Sequence, residues 1–219
     1  AIGLAAMFGI LFPLNFDSPY KSTSIVLFWR RWHMTLSRFL RDYLYIPLGG
    51  NRHGAVRRRL NLLITMVLGG LWHGASWNFA IWGAIHGGAL MANHGWRRVG
   101  GRVPAWLGQA LTLLVVVLAW VPFRAPDLGA SVAFWRAMAG LGGGGGGRMP
   151  EAPALLWLLL AGGIALFAPN SQEIMGLQAG GRRWSWRMGP GWAIGLGLLF
   201  GLAVSGTLTR PSAFLYFRF

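Results

Sequence analysis

The sequence predicts an all-α fold: a polytopic bundle of transmembrane helices that includes amphipathic and re-entrant or broken segments. Of the 219 residues, 54% are hydrophobic and only 11% are charged, and the mean hydropathy is +0.48. Soluble globular domains carry about 25% charged residues. The 13 Trp and 13 Phe residues also fit rings placed at both bilayer interfaces. Lipid is therefore the expected solvent of this chain.

The net charge of +15 comes from 20 basic and 5 acidic residues. Basic side chains cluster between the apolar runs, at residues 52–59, 97–102 and 182–187. Cytoplasmic loops of membrane proteins have this composition, which accounts for the charge without a nucleic acid. We therefore expect membrane lipids with anionic headgroups as partners, and no nucleic acid.

The absence of Cys and the apolar start of the sequence limit what this chain can do by itself. It contains no Cys, so a disulfide, a thiolate-bound metal and a thioester acyl-enzyme are all excluded within it. It also begins inside an apolar run, without Met or the charged start of a signal peptide. We therefore expect this sequence to be part of a longer protein.

The N-terminal part predicts a membrane helix followed by an amphipathic one. Residues 1–14 are apolar, uncharged and followed by a polar loop, as expected for the tail of a transmembrane helix. Residues 24–45 show apolar side chains at helical spacing and predict one amphipathic helix. Its second, polar face is formed by Arg30, His33, Ser37 and Arg41.

The next apolar segment is short, which predicts a chain reversal inside the membrane. A basic loop is expected up to Arg59, followed by a helix over residues 60–72 that would rise roughly 20 Å, against about 30 Å of hydrocarbon. Gly69, Gly70 and Gly74 permit a turn, and residues 77–91 then return as a second helix. His73 is expected at depth, between two inserted segments.

Three further spans are predicted between residues 105 and 208, at residues 105–123, 154–168 and 189–208. A flexible glycine-rich loop at residues 140–150 separates the first two. Alternation of sides puts the three basic clusters inside and the glycine-rich loop outside. The 219 residues are thus expected to form a single membrane domain.

Histidines inside a membrane are costly to bury and are functional candidates by default. His73 lies in a glycine-flanked turn, where a neutral imidazole can take a proton from an alcohol. The alternative is that His73 only ties two helices together through hydrogen bonds. For His86, 13 residues further on, a structural role is favoured, because it does not share a helical face with His73.

The polar stripe around His33 has two interpretations. Its arginines and hydroxyl suit the phosphate or thioester arm of an acyl carrier, and they equally suit lipid headgroups. A metal site is disfavoured because no close pair of ligands occurs. A Ser-His-Asp triad is disfavoured because the acids lie in loops or at interfaces, and we expect Asp42 to pair with Arg38 or Arg41.

Several motifs, in order, resemble the membrane-bound O-acyltransferase family, and most closely its bacterial polysaccharide branch. The similarity is strong over residues 16–94 and weaker at residues 120–125 and 214–219. The motifs are FDSPYKS at 16–22, FWRRWHMTLS at 28–37, LRDYLYIPLGGNR at 40–52, GGLWHGA at 69–75 and WGAIHG at 82–87.

The resemblance implies a helical bundle around a central funnel, with His73 and His33 as the catalytic pair. It implies transfer of an acyl group, usually acetyl, from a cytoplasmic thioester such as acetyl-CoA or an acyl carrier protein, with no bound cofactor. The acceptor would be an exported polysaccharide such as alginate, reached with a periplasmic acetylation partner. The location would be the bacterial inner membrane. The candidate residues for binding substrate or carrier are Arg30, Ser37, Arg41, Trp72 and Asn78.

Two departures from the family and two rival functions accompany this interpretation. The family's N-terminal helices are missing from the sequence, and the run of six glycines at residues 142–147 is not a family feature. A transporter or flippase component would use the same histidines to relay protons. A structural subunit would only recruit a soluble acyltransferase.

Overall fold

The computed structural model describes residues 2–142, 151–175 and 189–209, and this part of the chain is helical without strands. Contacts divide the chain into two compact units, Ala1–Phe167 and Ala168–Phe219. The single membrane domain remains a prediction. Most of the predicted glycine-rich loop, the basic cluster at 182–187 and the aromatic C-terminus lie outside the described residues.

The first helix, α1 (Ile2–Met7), is shorter than predicted. Gly9 follows with a φ of +74°. The Gly9 N–H donates to the carbonyl of Ala6 and the Ile10 N–H to that of Ala5, at 3.0 and 2.9 Å. This is the Schellman arrangement that ends helices at glycine. The predicted helical tail over residues 1–14 is therefore wrong beyond Met7.

The predicted amphipathic helix over residues 24–45 is broken in the structure. It consists of α2 (Ile25–Arg31), α3 (Met34–Leu40) and a π-helical turn at Arg41–Tyr45. Trp32 is extended, and His33 takes the left-handed conformation with φ 44° and ψ 53°. The four polar residues therefore do not lie along one straight helix.

A distant loop stabilises this break. The side-chain oxygen Oδ1 of Asn15 accepts from the Thr35 N–H at 3.1 Å and from the Thr35 hydroxyl at 2.9 Å. The Asn15 carbonyl accepts from the Met34 N–H at 2.9 Å. Asn15 thus supplies the cap that the His33 side chain does not provide to α3. Helical periodicity alone does not reveal a cap that comes from 20 residues away.

Helices α4 (Gly54–Leu71) and α5 (Trp77–Arg98) form an antiparallel hairpin at the centre of the first unit. Gly70 packs on the Phe79 carbonyl and Gly83 on the Met66 carbonyl, so closely that an added Cβ at either glycine would overlap that oxygen. Small residues let helix backbones approach in this way.

Helix α4 begins six residues earlier than predicted, so the basic run at 57–59 is helical and not a loop. Arginine is a good helix former, and its long stem can lie along apolar surface. With 18 residues, α4 is about 27 Å long. The argument for a short segment is thus wrong, whereas the predicted turn after it is confirmed at residues 72–76.

Helix α6 (Ala105–Arg124) runs beside α5, and α7 (Leu128–Met138) packs against its end. Pro122 lies inside α6 and has no N–H to donate to the carbonyl of Leu118. The indole Nε1 of Trp135 donates to that carbonyl at 3.0 Å. The tertiary contact satisfies the acceptor that proline leaves free.

Of the remaining helices, the two long ones are apolar. In the first unit, α8 (Ala152–Phe167) contacts the short 3₁₀ turn Pro19–Lys21, and its large side chains are exposed. The second unit contains α9 (Ser171–Ile174) and α10 (Pro190–Thr209). Helices are therefore confirmed at all three predicted spans.

One helix of the described residues, α6, is long and apolar enough to cross a membrane. The apolar stretches Ala152–Phe167 and Pro190–Gly206 are shorter. The membrane crossings of α8 and α10 remain predictions.

Candidate active site

His73 lies in the connection between α4 and α5, held by a hydrogen bond from its backbone N–H to the Gly70 carbonyl at 2.9 Å. Its imidazole is half-buried. Four aromatic rings surround it, with centroids 5.0 to 6.0 Å away: Trp72, Phe79, Trp82 and Phe123. Gly74 is needed here because a Cβ at this position would lie 2.8 Å from the Phe79 ring.

The His73 side chain makes contacts with rings but no hydrogen bond with any of the described residues. Aromatic rings fix the plane of an imidazole while leaving its nitrogens to other partners. The role of a hydrogen-bonding strut between helices thus receives no support from this environment. A half-buried imidazole with a fixed plane suits proton transfer.

His33 lies close enough to His73 for their charges to interact. It caps the N-terminus of α3 by position only, and its ring packs on Phe16 with centroids 5.8 Å apart. Burial lowers the pKa of the His33 imidazole below its ordinary value, so the ring is neutral at pH 7. The structure thus places two histidines that are 40 residues apart in sequence within electrostatic range of each other.

His86 lies in the hydrophobic core and is 2% exposed. Its ring is stacked on Phe28, with an interplanar angle of 7°, and contacts Trp29 and Trp82 edge-on. Trp82 also contacts His73. This environment agrees with the predicted structural role of His86. Within the part of the chain that the structure describes, no three His, Asp or Glu side chains gather as a metal site.

Three of the candidate carrier-binding residues line one cavity of about 460 Å³. Arg30, Ser37 and Arg41 contribute to its wall together with side chains from α4 and α5. The lining does not include His33, His73 or His86. Trp29 separates the cavity from the core, because it lines the cavity and also contacts His86. The cavity and the three histidines are therefore neighbouring features and do not form one pocket.

Two of these cavity residues have partners of their own. At the end of α2, the Ser37 hydroxyl can donate a hydrogen bond to the Trp29 carbonyl, at 3.2 Å, and to the Trp32 carbonyl, at 3.3 Å. Arg41 forms an ion pair with Asp42, with Nε 2.7 Å from Oδ1. This pair confirms the predicted partner of Asp42, and the guanidinium lowers the pKa of the carboxyl. Of the three candidate residues in this cavity, Arg30 is the one with no hydrogen bond or ion pair from its side chain to another described residue.

The two remaining candidates flank His73 differently. Trp72 is 63% exposed and stands edge-on to the His73 ring. Asn78 is buried, and its Nδ2 donates to the carbonyl of Ala125, beyond α6, at 2.8 Å. Asn78 therefore holds the start of α5 against the α6–α7 corner. Its buried Oδ1 has no partner among the described residues.

Sequence reasoning missed two parts of this region. Phe123, from α6, lies against His73, and its chemical type alone gives no signal for that contact. His94 lines the first cavity and also a second, basic one. The signal for the second cavity was present, since the basic clusters at 52–59 and 97–102 fall at the same end of an antiparallel hairpin.

The sequence matches a family of membrane proteins and is similar to several known enzymes. A sequence model described as "MBOAT, membrane-bound O-acyltransferase family" matches residues 1–120, more than half of the chain. A peptidoglycan O-acetyltransferase of Helicobacter pylori is 47% identical over 147 residues, and a probable alginate O-acetylase AlgI of Pseudomonas aeruginosa is 49% identical over 146. A teichoic acid D-alanyltransferase of Streptococcus thermophilus is 35% identical over 105 residues.

The alignments cover only part of each protein. The first two relatives align with 65% of this chain and 28% of their own length. The D-alanyltransferase aligns with 45% of this chain and 25% of its own length. The chain thus spans under a third of the length of the relatives it matches.

Proposed function

Because the chain belongs to the membrane-bound O-acyltransferase family, we propose that it carries the acyl-transfer centre of a membrane-embedded O-acyltransferase. The observation that carries the proposal is the His73 imidazole, half-buried in an aromatic surround and near a second, neutral histidine. The acyl group is acetyl, in keeping with the names of the two O-acetylating relatives.

His73 acts as the general base in this proposal. An acceptor hydroxyl attacks the carbonyl carbon of an acyl thioester while the imidazole takes the hydroxyl proton. The new C–O bond forms, the C–S bond breaks, and the imidazolium returns the proton to the leaving thiolate. General-base assistance of this kind contributes roughly 10²- to 10⁴-fold. No protein thiol is required, consistent with a chain that has no Cys.

The remaining residues would bind and orient the reactants. His33 assists near the donor, and Arg30 and Arg41 attract an anionic carrier arm into the first cavity, as guanidinium groups do with phosphates. Ser37 shapes that cavity through its bonds at the helix break. Trp72 is exposed beside His73, where an acceptor can stack on it. Asn78 positions α5.

Donor, acceptor and location follow from the same proposal. The thioester is acetyl-CoA or an acylated carrier protein on the cytoplasmic side of the bacterial inner membrane. The acceptor is a hydroxyl of an exported polysaccharide such as alginate, reached with a periplasmic acetylation partner. The names of the relatives refer to alginate, peptidoglycan and teichoic acid, which supports an acceptor polymer outside the cytoplasm.

The test measures whether the protein forms an ester bond between the acetyl group and the acceptor. Membranes containing the intact protein are given acetyl-CoA or acetylated carrier protein with a labelled acetyl group, together with alginate oligosaccharides and the periplasmic fraction. We expect alkali-labile label on the oligosaccharide, released as acetate. Proton flux without any labelled ester would favour a transporter. Label that requires only the soluble fraction would favour a recruiting subunit, and either result would refute the proposal.

A further inference from the structure

A second cavity, of about 510 Å³, lies at the end of the α4–α5 hairpin opposite His73. Its wall comes from the start of α4 and the end of α5, which the antiparallel packing brings together. Most of the lining is basic or polar, and it includes Asn51, Gly54, Arg58, His94, Arg97 and Arg98.

Among the described residues, the positive charges at this cavity have no acidic counterpart. The one ion pair recorded between described residues joins Arg41 to Asp42, and none of the cavity arginines takes part in it. The Nε atom of Arg58 is buried without a hydrogen-bond partner among the described residues. A buried guanidinium nitrogen needs an acceptor, since leaving it unsatisfied costs free energy.

The charges also converge across helices. Arg58 from α4 and Arg97 from α5 both act electrostatically on His94, and so does Arg30 from α2. A concave site lined by charges of one sign concentrates its field on an ion of the opposite sign. The ligand that fits is therefore an anion with several acceptor oxygens.

We propose that this basic cavity binds a phosphate group, with Arg58, Arg97 and Arg98 as its ligands. Guanidinium groups donate paired hydrogen bonds to phosphate oxygens, and the fork geometry suits Arg better than Lys. The amide of Asn51 and the backbone at Gly54, where α4 begins, add polar groups at the rim.

His94 connects this site to the first cavity, because it lines both. The first cavity extends beside Leu62 and Met66 of α4, towards His73. From Arg58 to Leu71, the last residue of α4, the helix rises about 20 Å, and His73 lies beyond that end. A ligand held by its phosphate in the basic cavity needs a long arm to reach His73, whereas a lipid headgroup needs no such reach.

The phosphate can thus come from two sources, a thioester carrier or an anionic lipid, and the experiment separates them. The intact protein in zwitterionic detergent is titrated calorimetrically with coenzyme A, with inorganic pyrophosphate and with dihexanoylphosphatidylglycerol. We compare wild type with Arg58→Gln/Arg97→Gln and with Arg97→Gln/Arg98→Gln, whose two side chains are exposed. Arg136→Gln on α7 is the control, because it removes one exposed charge far from the cavity lining in sequence.

Both double variants should weaken binding of at least one phosphate probe by about tenfold or more, since each lost charge-assisted hydrogen bond is worth that much. Arg136→Gln should bind as wild type does. Preference for coenzyme A would identify the carrier as the source, and preference for phosphatidylglycerol the lipid. Absence of binding by every probe, or equal binding by all four proteins, would overturn the inference. No acyl donor is present, so this outcome is independent of the proposed function.

Discussion

His33 occupies a strained backbone position within electrostatic range of the residue proposed as base. A left-handed conformation costs a residue other than glycine about 1–2 kcal/mol, and the structure offsets this through the bonds of Asn15 and Ser37 on either side of the break. Strain of this kind is concentrated at functional sites. Here the break turns the His33 ring towards Phe16 and holds it within electrostatic range of His73.

Replacement of His33 by Asn separates the backbone role from the chemical one. Asn tolerates the left-handed conformation, so His33→Asn should leave the unfolding temperature of the protein nearly unchanged. It removes the imidazole, so acetyl transfer should fall by at least about tenfold if the ring assists near the donor. Thermal unfolding in detergent and transfer of labelled acetyl measure the two effects. Transfer at the wild-type rate in a folded His33→Asn protein would exclude the ring from the reaction.

At the scale of elements, the α4–α5 hairpin positions His73. The connection is only five residues long, and its geometry depends on how closely the two helices pack. Gly70 and Gly83 set that distance, because each lies against a backbone carbonyl of the other helix. Gly70 also accepts the backbone hydrogen bond of His73.

Alanine at Gly70 should separate the helices, because its Cβ would overlap the Phe79 carbonyl. We expect Gly70→Ala to destabilise the protein by about 1–3 kcal/mol, the usual range for overpacking, and to lower acetyl transfer by moving His73. Gly88→Ala in α5 is the matched control. A Cβ at Gly88 meets no atom within 4 Å, so this variant should keep wild-type activity and gain up to about 1 kcal/mol of helix stability. Equal behaviour of the two variants would contradict this account of the packing.

The long apolar helices were predictable from the sequence, whereas α7, α9 and several helix ends were not. Apolar runs and periodicity correctly placed α5, α6, α8 and α10. The end of α1 follows a local signal, Gly9, that the apolar run concealed. The break at His33 depends on Asn15, which lies 20 residues away from the residue it caps, so no local pattern contains it.

At the scale of the whole molecule, charge and hydropathy determine the expected orientation. The basic residues of α4 and α5 gather at one end of the hairpin, and the His73 connection lies at the other. The positive-inside rule puts the basic end in the cytoplasm. The position of His73 in a turn between two helices was predictable from the glycines around it. The aromatic surround was not, because Phe123 comes from another helix.

Cysteine labelling tests this orientation. The chain has no Cys, so each introduced thiol is unique within it once any Cys elsewhere in the protein is replaced. An impermeant maleimide applied to spheroplasts should label Met138→Cys, which is exposed after α6. Arg57→Cys should react only after lysis. Val99→Cys, also exposed, should behave as Arg57→Cys does, and labelling of all three from outside would refute the predicted sides.

The rate of acetyl transfer in a His73→Gln protein shows whether His73 is the general base. Gln keeps the side chain polar but accepts no proton at neutral pH. We compare equal amounts of the variant and the wild type, using labelled thioester and saturating acceptor. Equal unfolding temperatures of the two proteins show that the variant is folded. If His73 is the general base, the rate of transfer should fall by roughly 10²- to 10⁴-fold. A folded His73→Gln protein that transfers acetyl within a few-fold of the wild-type rate would contradict it.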